Sequence, residues 1–133
     1  MKILIDTNIL ISAFVFKGKP RNLIYQLLEQ GHALLVTSYI EREFRKTLAR
    51  KWPHKADTIY TQFTAMGFLC LPSADTQYGA LRDAKDIPVL SDAVHYNVDV
   101  ILSGDKDFLE AGLEHPAVKS VSELWDLLEL DNL

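Results

Sequence analysis

The 133-residue sequence lacks several features that mark specialised classes of protein. It has one cysteine, Cys70, which excludes an internal disulfide, and we assign that thiol no function. It has no long apolar run and no signal-peptide pattern at its start, so we expect an intracellular protein without a membrane-spanning segment. It also lacks repeats and linkers, and we predict a single domain over residues 1–133.

Positive charge is scarce as well. The chain has 14 Lys and Arg against 18 Asp and Glu, a net charge of -4, which argues against a protein that coats itself in nucleic acid. The cations are unevenly distributed, however. Six of them lie within fourteen residues: Arg42, Arg45, Lys46, Arg50, Lys51 and Lys55. This run is either the solvated face of a helix or a surface that faces phosphates.

Short apolar runs alternate with segments of helical period, which predicts an α/β fold. Runs such as residues 2–5 and 100–102 show no polar alternation, as expected of parallel strands that helices cover on both faces. We therefore predict a three-layer fold in which helices flank a central parallel sheet of about five strands. The strands predicted by residue are 2–5, 33–36, 68–71 and 98–102, and the helices are 22–30, 39–50, 56–66, 86–97 and 122–130.

Two carboxylates follow predicted strands, at points where ligands collect in parallel α/β sheets. Asp6 ends the first strand, and Asp105 follows strand 98–102 by way of Ser103 and Gly104. If the two strands are neighbours, both acids lie at the same edge of the sheet. Each acid also has a purely structural explanation, because an aspartate after a strand often caps the next helix.

The basic helix contains two glutamates that its helical period separates. Ser38 and Glu41 have the spacing of a capping box, which would account for Glu41 structurally. Glu43 instead shares a stripe with apolar residues such as Ile40 and Phe44, and that stripe should face the core. A carboxylate there is costly unless it meets an arginine or a metal ion.

Three further acids in the second half of the chain are considered as site residues: Asp86, Asp92 and Asp107. Asp86 heads an apolar stripe in helix 86–97, although aspartate is also favoured at a helix start. Asp92 lies well round that helix from Asp86, and we predict that it is solvated or at the rim of a site. Asp107 is either a supporting acid or a loop residue.

The four best candidate ligands are Asp6, Glu43, Asp86 and Asp105. Their carboxylates would repel one another strongly if they lay together without a cation. An all-oxygen site suits Mg²⁺ or Mn²⁺, whereas zinc calls for histidine or cysteine at ligand spacing. We therefore predict a divalent cation held by Asp6, Glu43, Asp86 and Asp105.

Four segments of the chain resemble the motifs of PIN-domain ribonucleases, in particular the VapC-like toxins of bacterial toxin–antitoxin pairs. They are IDTNIL at 5–10, TSYIEREF at 37–44, RDAKDIPVL at 82–90 and ILSGDKDF at 101–108, in the family's order. The resemblance implies a PIN fold with Asp6, Glu43, Asp86 and Asp105 as the metal-binding acids. It also implies that Asp107 supports them and that Asn8 and Ser103 help to hold the first acid or the metal water. Ser103 stands where the family more often has threonine, and the hydroxyl is kept.

The resemblance further implies a cytoplasmic endoribonuclease that hydrolyses RNA phosphodiester bonds with a metal-activated water. Its expected cofactor is Mg²⁺ or Mn²⁺, and its expected partners are the RNA substrate, an antitoxin protein and, less directly, a second copy in a homodimer. On this interpretation the cations that share a helix with Glu43 would bind flanking phosphates: Arg42, Arg45, Lys46, Arg50 and Lys51.

Three other interpretations stay open at this point. A phosphatase of the haloacid dehalogenase type also has an aspartate after its first strand, but it needs a second one where this chain has Asn8. A PIN scaffold that binds RNA or protein without cutting would have lost one or more acids, and all four are present. The remaining alternative is that the acids are only helix caps and surface pairs, which requires four independent coincidences of spacing.

Overall fold

The computed structural model describes residues 1–74 and 86–132, without the side chains of Asp86 and Asn132, so the motif residues 82–85 lie outside it. The strands are β1 (Lys2–Ile5), β2 (Ala33–Thr37), β3 (Leu69–Leu71), β4 (Val100–Leu102) and β5 (Ala117–Lys119). The α-helices are α1 (Thr7–Ile11), α2 (Gly18–Glu29), α3 (Ser38–Lys51), α4 (Ala56–Thr64), α5 (Asp86–His95), α6 (Lys106–Leu109) and α7 (Val121–Leu127). A π-helix (Ser12–Phe16) follows α1, and a 3₁₀ turn (Leu130–Asn132) follows α7.

The five strands form one parallel sheet in the order β3-β2-β1-β4-β5. Ile3, Leu4 and Ile5 of the central strand point alternately to opposite faces, and all three are fully buried. Helices therefore cover both faces, and the predicted α/β fold with a central parallel sheet of five strands is confirmed. The sequence analysis missed β5, because its three residues Ala-Val-Lys are too short an apolar run to give a strand signal.

The strand register aligns polar residues at the carboxyl edge of the sheet. Leu4 pairs with Leu35 of β2, and Ile5 pairs with Leu102 of β4. Continuing this register sets Asp6 between Thr37 and Ser103, and all three of these residues are buried. The backbone amide of Asp6 donates to the Leu102 carbonyl at 3.0 Å, which holds the edge together.

Residues 7–16 are helical, although the sequence analysis predicts no helix there. The run contains seven apolar residues with little polar interruption, so it shows no clear amphipathic period. In the fold, Phe14 joins Phe44, Phe63 and Phe68 in a cluster of aromatic rings on one side of the sheet. Within residues 1–74 and 86–132, no helix is long and apolar enough to cross a bilayer.

The prediction that Asp92 is solvated is wrong. Its side chain is only 1% exposed. One carboxylate oxygen accepts a hydrogen bond from the Ser73 hydroxyl at 3.1 Å, and the other accepts from the Ala74 amide at 2.6 Å. These bonds compensate for burial and tie α5 to the segment after β3, a long-range contact that helical period could not reveal.

The predicted capping box of α3 is also wrong. The N-cap residue is Thr37, and its side chain makes no capping hydrogen bond. The Ser38 hydroxyl accepts instead from the Ser73 amide at 2.9 Å, while Glu41 accepts a hydrogen bond from the Tyr60 hydroxyl. Glu41 thus has a structural role, but the tertiary contact with α4 supplies it rather than the helix start.

Candidate active site

A cavity of about 420 Å³ opens at the carboxyl edge of the sheet. Three of the predicted acids line it, Asp6 from the end of β1, Glu43 from α3 and Asp105 from the loop after β4. The other lining residues are Thr7, Asn8, Ile11, Ser12, Tyr39, Thr47, Arg50, Lys51 and Val89. Asp6 and Glu43 are 37 residues apart in sequence, and Glu43 and Asp105 are 62 apart, yet all three line one cavity.

Asp6 is the most enclosed of these acids, with 8% of its surface exposed. One carboxylate oxygen accepts from the Thr7 amide at 2.8 Å and thereby caps α1, and the other accepts from the Ser103 hydroxyl at 2.8 Å. Burial raises the pKa of Asp6, the two hydrogen bonds act in the opposite direction, and the charge of Asp105 raises the pKa further. A cation in the cavity would relieve both unfavourable effects.

The Ser103 hydroxyl connects the two acids of the sheet edge. It donates to Asp6 and accepts from the backbone amide of Asp105 at 3.1 Å. A second link holds the same loop against α1, since the Asn8 side-chain oxygen accepts from the Gly104 amide at 3.1 Å. Ser103 therefore contacts the first acid directly, whereas Asn8 contacts the loop that carries Asp105.

Asp105 caps a helix as Asp6 does. One of its carboxylate oxygens accepts from the amides of Asp107 and Phe108, at 2.9 and 3.3 Å, at the start of α6. No described residue donates to its other oxygen. The capping explanation is thus correct for both aspartates, and both nevertheless line the cavity.

Glu43 lies in a row of cavity-lining residues on α3. Tyr39, Glu43 and Thr47 are spaced by four, so the helix presents them along one face. Glu43 is half-buried, and no described residue forms a hydrogen bond or ion pair with its carboxylate. Glu43 lines the cavity and Glu41 does not, while the capping box predicted for Glu41 is absent.

The remaining predicted acids are less closely associated with the cavity. Asp86 is the first residue of α5, one turn before the lining residue Val89, and its side chain lies outside the described residues. Asp107 is exposed and does not line the cavity. Among the side chains that the structure describes, no three His, Cys, Asp or Glu residues form a group that could hold a metal ion.

The predicted RNA-binding cations divide between two sides of α3. Arg50 and Lys51 line the cavity, and neither has an ion-pair partner in the described part of the chain. Arg45 lies elsewhere, with its guanidinium 4.8 Å from the centre of the Tyr60 ring. Arg42 and Lys46 are exposed and are not lining residues.

Several lining residues were not among the predicted site residues, notably Thr7, Ser12 and Tyr39. A spacing of four relates Ser12 to Asn8, and the Ser12 hydroxyl donates to the Asn8 carbonyl at 2.9 Å. The same spacing relates Tyr39 to Glu43. This periodicity could have identified both residues once the helices were assigned.

The chain matches a protein-family model and is similar to solved structures. The family model of the PIN domain matches residues 2–107. No curated protein sequence matches the chain significantly. Among solved structures, the chain is similar to VapBC2 from Rickettsia felis bound to a DNA fragment from their promoter, with a TM-score of 0.73, 16% identity and coverage of 90% of this chain and 98% of that one. It is also similar to VapC20 of Mycobacterium tuberculosis, a sarcin-ricin loop cleaving toxin, with a TM-score of 0.62, 11% identity and coverage of 84% and 95%.

Proposed function

Because this chain belongs to the PIN-domain family, we propose that it is a metal-dependent endoribonuclease and the toxin of a toxin–antitoxin pair. The observation that carries the proposal is the cavity lined by Asp6, Glu43 and Asp105 and by two cations without ion-pair partners among the described residues. In metal-dependent hydrolysis of RNA, acids hold the metal ion and cations hold the charged backbone of the substrate.

The donor set fits Mg²⁺ or Mn²⁺, because the candidate ligands are carboxylates and the cavity lining contains no histidine or cysteine among the described residues. Asp6, Glu43, Asp86 and Asp105 would hold the ion, with Asp107 in support. When bound, the ion supplies a hydroxide from water near neutral pH and stabilises charge on the phosphate.

The chain's own polar residues have distinct roles in this proposal. Ser103 orients the Asp6 carboxylate through its 2.8 Å hydrogen bond, and Asn8 holds the loop that carries Asp105. Arg50 and Lys51 bind phosphates on either side of the bond that is cut. No side-chain nucleophile is needed, because water attacks the phosphorus and the 3′ oxygen leaves.

The toxin assignment has support from the two structural relatives, of which one is a VapBC complex and the other a sarcin-ricin loop cleaving toxin. We propose that a small antitoxin covers the cavity and inserts an arginine among the carboxylates, because a guanidinium satisfies carboxylates bidentately. A homodimer and a cytoplasmic location belong to the same proposal.

The direct test is cleavage of a mixed RNA pool by metal-stripped protein to which Mg²⁺ or Mn²⁺ is added back. We expect cutting only with the metal, and an excess of EDTA should stop it. If folded, metal-loaded protein cuts no RNA but still binds it, the chain is a PIN scaffold rather than a nuclease.

Removing the Ser103 hydroxyl should impair cleavage without abolishing it. Ser103→Ala deletes the hydrogen bond that orients Asp6, and loss of such an outer partner commonly lowers activity or metal affinity by about 10- to 100-fold. Ser103→Thr keeps the hydroxyl and should retain activity. Cleavage rates measured across a Mg²⁺ titration test this, and equal rates for the alanine and threonine variants would contradict it.

The two cavity-lining cations should contribute to RNA affinity through phosphate contacts. Arg50→Gln and Lys51→Gln should each weaken binding and lower the slope of log affinity against log salt by about 1. Arg45→Gln is the matched control, because Arg45 occupies another face of α3 against Tyr60. Fluorescence anisotropy at several salt concentrations measures all three, and an equal effect of Arg45→Gln would refute the assignment.

A further inference from the structure

Phe16 and Trp52 form an aromatic pair that follows two cavity-lining segments in the chain, and the proposed hydrolysis does not use it. Phe16 is 69% exposed, the largest exposed fraction among the large hydrophobic side chains of the described residues. Its ring meets the half-buried Trp52 at a centroid distance of 5.7 Å and an interplanar angle of 82°. An edge-to-face contact of this kind covers little of Phe16, so most of its ring faces water.

Both members of the pair continue elements that line the cavity. Phe16 ends the π-helix and is one turn beyond the lining residue Ser12. Trp52 is the C-cap residue of α3 and directly follows the lining residue Lys51. The aromatic pair therefore lies one helical turn beyond Ser12 and one residue beyond Lys51 in the chain.

The backbone around Phe16 is unusual for so exposed a residue. Phe16 belongs to a π-helix, a rare conformation that is frequent at functional sites. The next residue, Lys17, has φ 65° and ψ −131°, a conformation that a residue with a side chain rarely adopts. Phe16 is thus carried on a helical segment rather than on a loop.

We infer that Phe16 and Trp52 form a stacking site for one unpaired base of the RNA, next to the phosphates held by Arg50 and Lys51. This inference rests on the proposed function and specifies its substrate as single-stranded at that position. Aromatic rings beside cations match the alternation of bases and phosphates in a single strand. The other large hydrophobic side chains that the structure shows as exposed belong to other elements: Met1, Tyr25, Leu69, Val94 and Leu127. The positive charge of Arg50 and Lys51, and the absence, among the described residues, of other exposed large hydrophobic side chains from the π-helix and α3 that carry the pair, therefore favour a nucleic acid over an apolar protein surface as the ligand.

The test measures binding separately from cleavage. Asp6→Asn protein, which we expect not to cut, is titrated with fluorescently labelled single-stranded RNA. The double variant that also carries Phe16→Ala is titrated in the same way. We expect Phe16→Ala to weaken binding by about 5- to 150-fold, the range for loss of one stacked base. Phe16→Tyr should restore affinity, whereas Phe16→Leu should not, because leucine keeps apolar area but has no aromatic face.

An oligonucleotide of the same length without bases distinguishes stacking from other effects. Phe16→Ala should not change its affinity, since only the phosphate contacts remain. Leu127→Ala is the control for an exposed hydrophobic residue on another element, as Leu127 is 57% exposed on α7. Circular dichroism should show unchanged folding for all variants.

The possible results separate the stacking site from the nuclease proposal. If Phe16→Ala binds RNA as tightly as its parent, or loses as much affinity for the base-free oligonucleotide, the stacking site is refuted and a protein partner becomes the better occupant. If wild-type protein cuts no RNA but the Phe16 effect on binding is present, the nuclease proposal fails and the stacking site stands. Cleavage without any Phe16 effect on binding supports the nuclease and refutes the stacking site.

Discussion

Asp6→Asn should lower the rate of RNA cleavage by about 1,000-fold or more, because a metal ligand contributes several kcal/mol to the transition state and each 1.36 kcal/mol is tenfold in rate. Asparagine has nearly the shape of aspartate and can still accept from the Thr7 amide, so the helix cap is retained. Asparagine loses the negative charge at the centre of the sheet edge, and the amide nitrogen that replaces the second oxygen donates to the Ser103 hydroxyl instead of accepting from it. Single-turnover cleavage at saturating Mg²⁺ measures the loss, and a rate within tenfold of wild type would show that Asp6 is not a ligand.

Stability measurements show whether the Asp6→Asn protein is intact. Burial raises the pKa of Asp6, so in wild type the folded state binds this proton more tightly than the unfolded chain. The associated stability is fully present below the ordinary aspartate pKa of about 3.9 and is lost as pH rises through the raised folded value. Without metal, the asparagine variant should therefore have the higher free energy of unfolding at pH 7, and the difference should vanish at acid pH. Urea unfolding at several pH values tests this, and a less stable variant at pH 7 would contradict it.

The second large effect is expected at Glu43, and the same helix provides its control. Glu43→Gln removes a carboxylate that lines the cavity and has no partner among the described residues, and we expect cleavage to fall by about 100- to 1,000-fold. Glu41→Gln makes the same chemical change on another face of α3, where the side chain can still accept from Tyr60. Its cleavage rate should be unchanged.

A metal titration separates binding from any indirect effect of the two glutamine variants. If Glu43 is a ligand, Glu43→Gln should require more Mg²⁺ or Mn²⁺ for half-maximal activity. The metal should also raise the melting temperature of this variant less than it raises that of wild type. Glu41→Gln should match wild type in both measurements. Equal losses for the two variants would mean that the charge of α3, rather than a particular carboxylate, supports activity.

The sequence predicts which acids line the cavity where local order carries the information. Asp6 and Asp105 each follow a strand directly, and in a parallel sheet neighbouring strands bring such residues to one edge. Glu43 could be distinguished from Glu41 because three or four residues make one helical turn. The cations could not be sorted in the same way, since Arg45 and Arg50 are equally basic and only the neighbouring Tyr60 shows which of them faces away from the cavity.

The errors at Asp92, at Ser38 and in residues 7–16 have one physical cause. Asp92 and Ser38 looked like solvent-facing and capping residues because their local spacing allowed it, but both bind the segment at Ser73, which is 19 and 35 residues away. Residues 7–16 form helices because the sheet and the aromatic cluster bury Leu10 and Phe14, and not because of a local helical period.

By itself the sequence determined the α/β class, the parallel central sheet and the identity of the acids at the strand ends, since these follow from short-range apolar and polar patterns. Only the tertiary structure decided the strand order, the cavity shared by Asp6, Glu43 and Asp105, and the side of α3 on which each cation lies. Those features arise from contacts between distant segments, whose free energies depend on three-dimensional packing rather than on the spacing of residues along the chain.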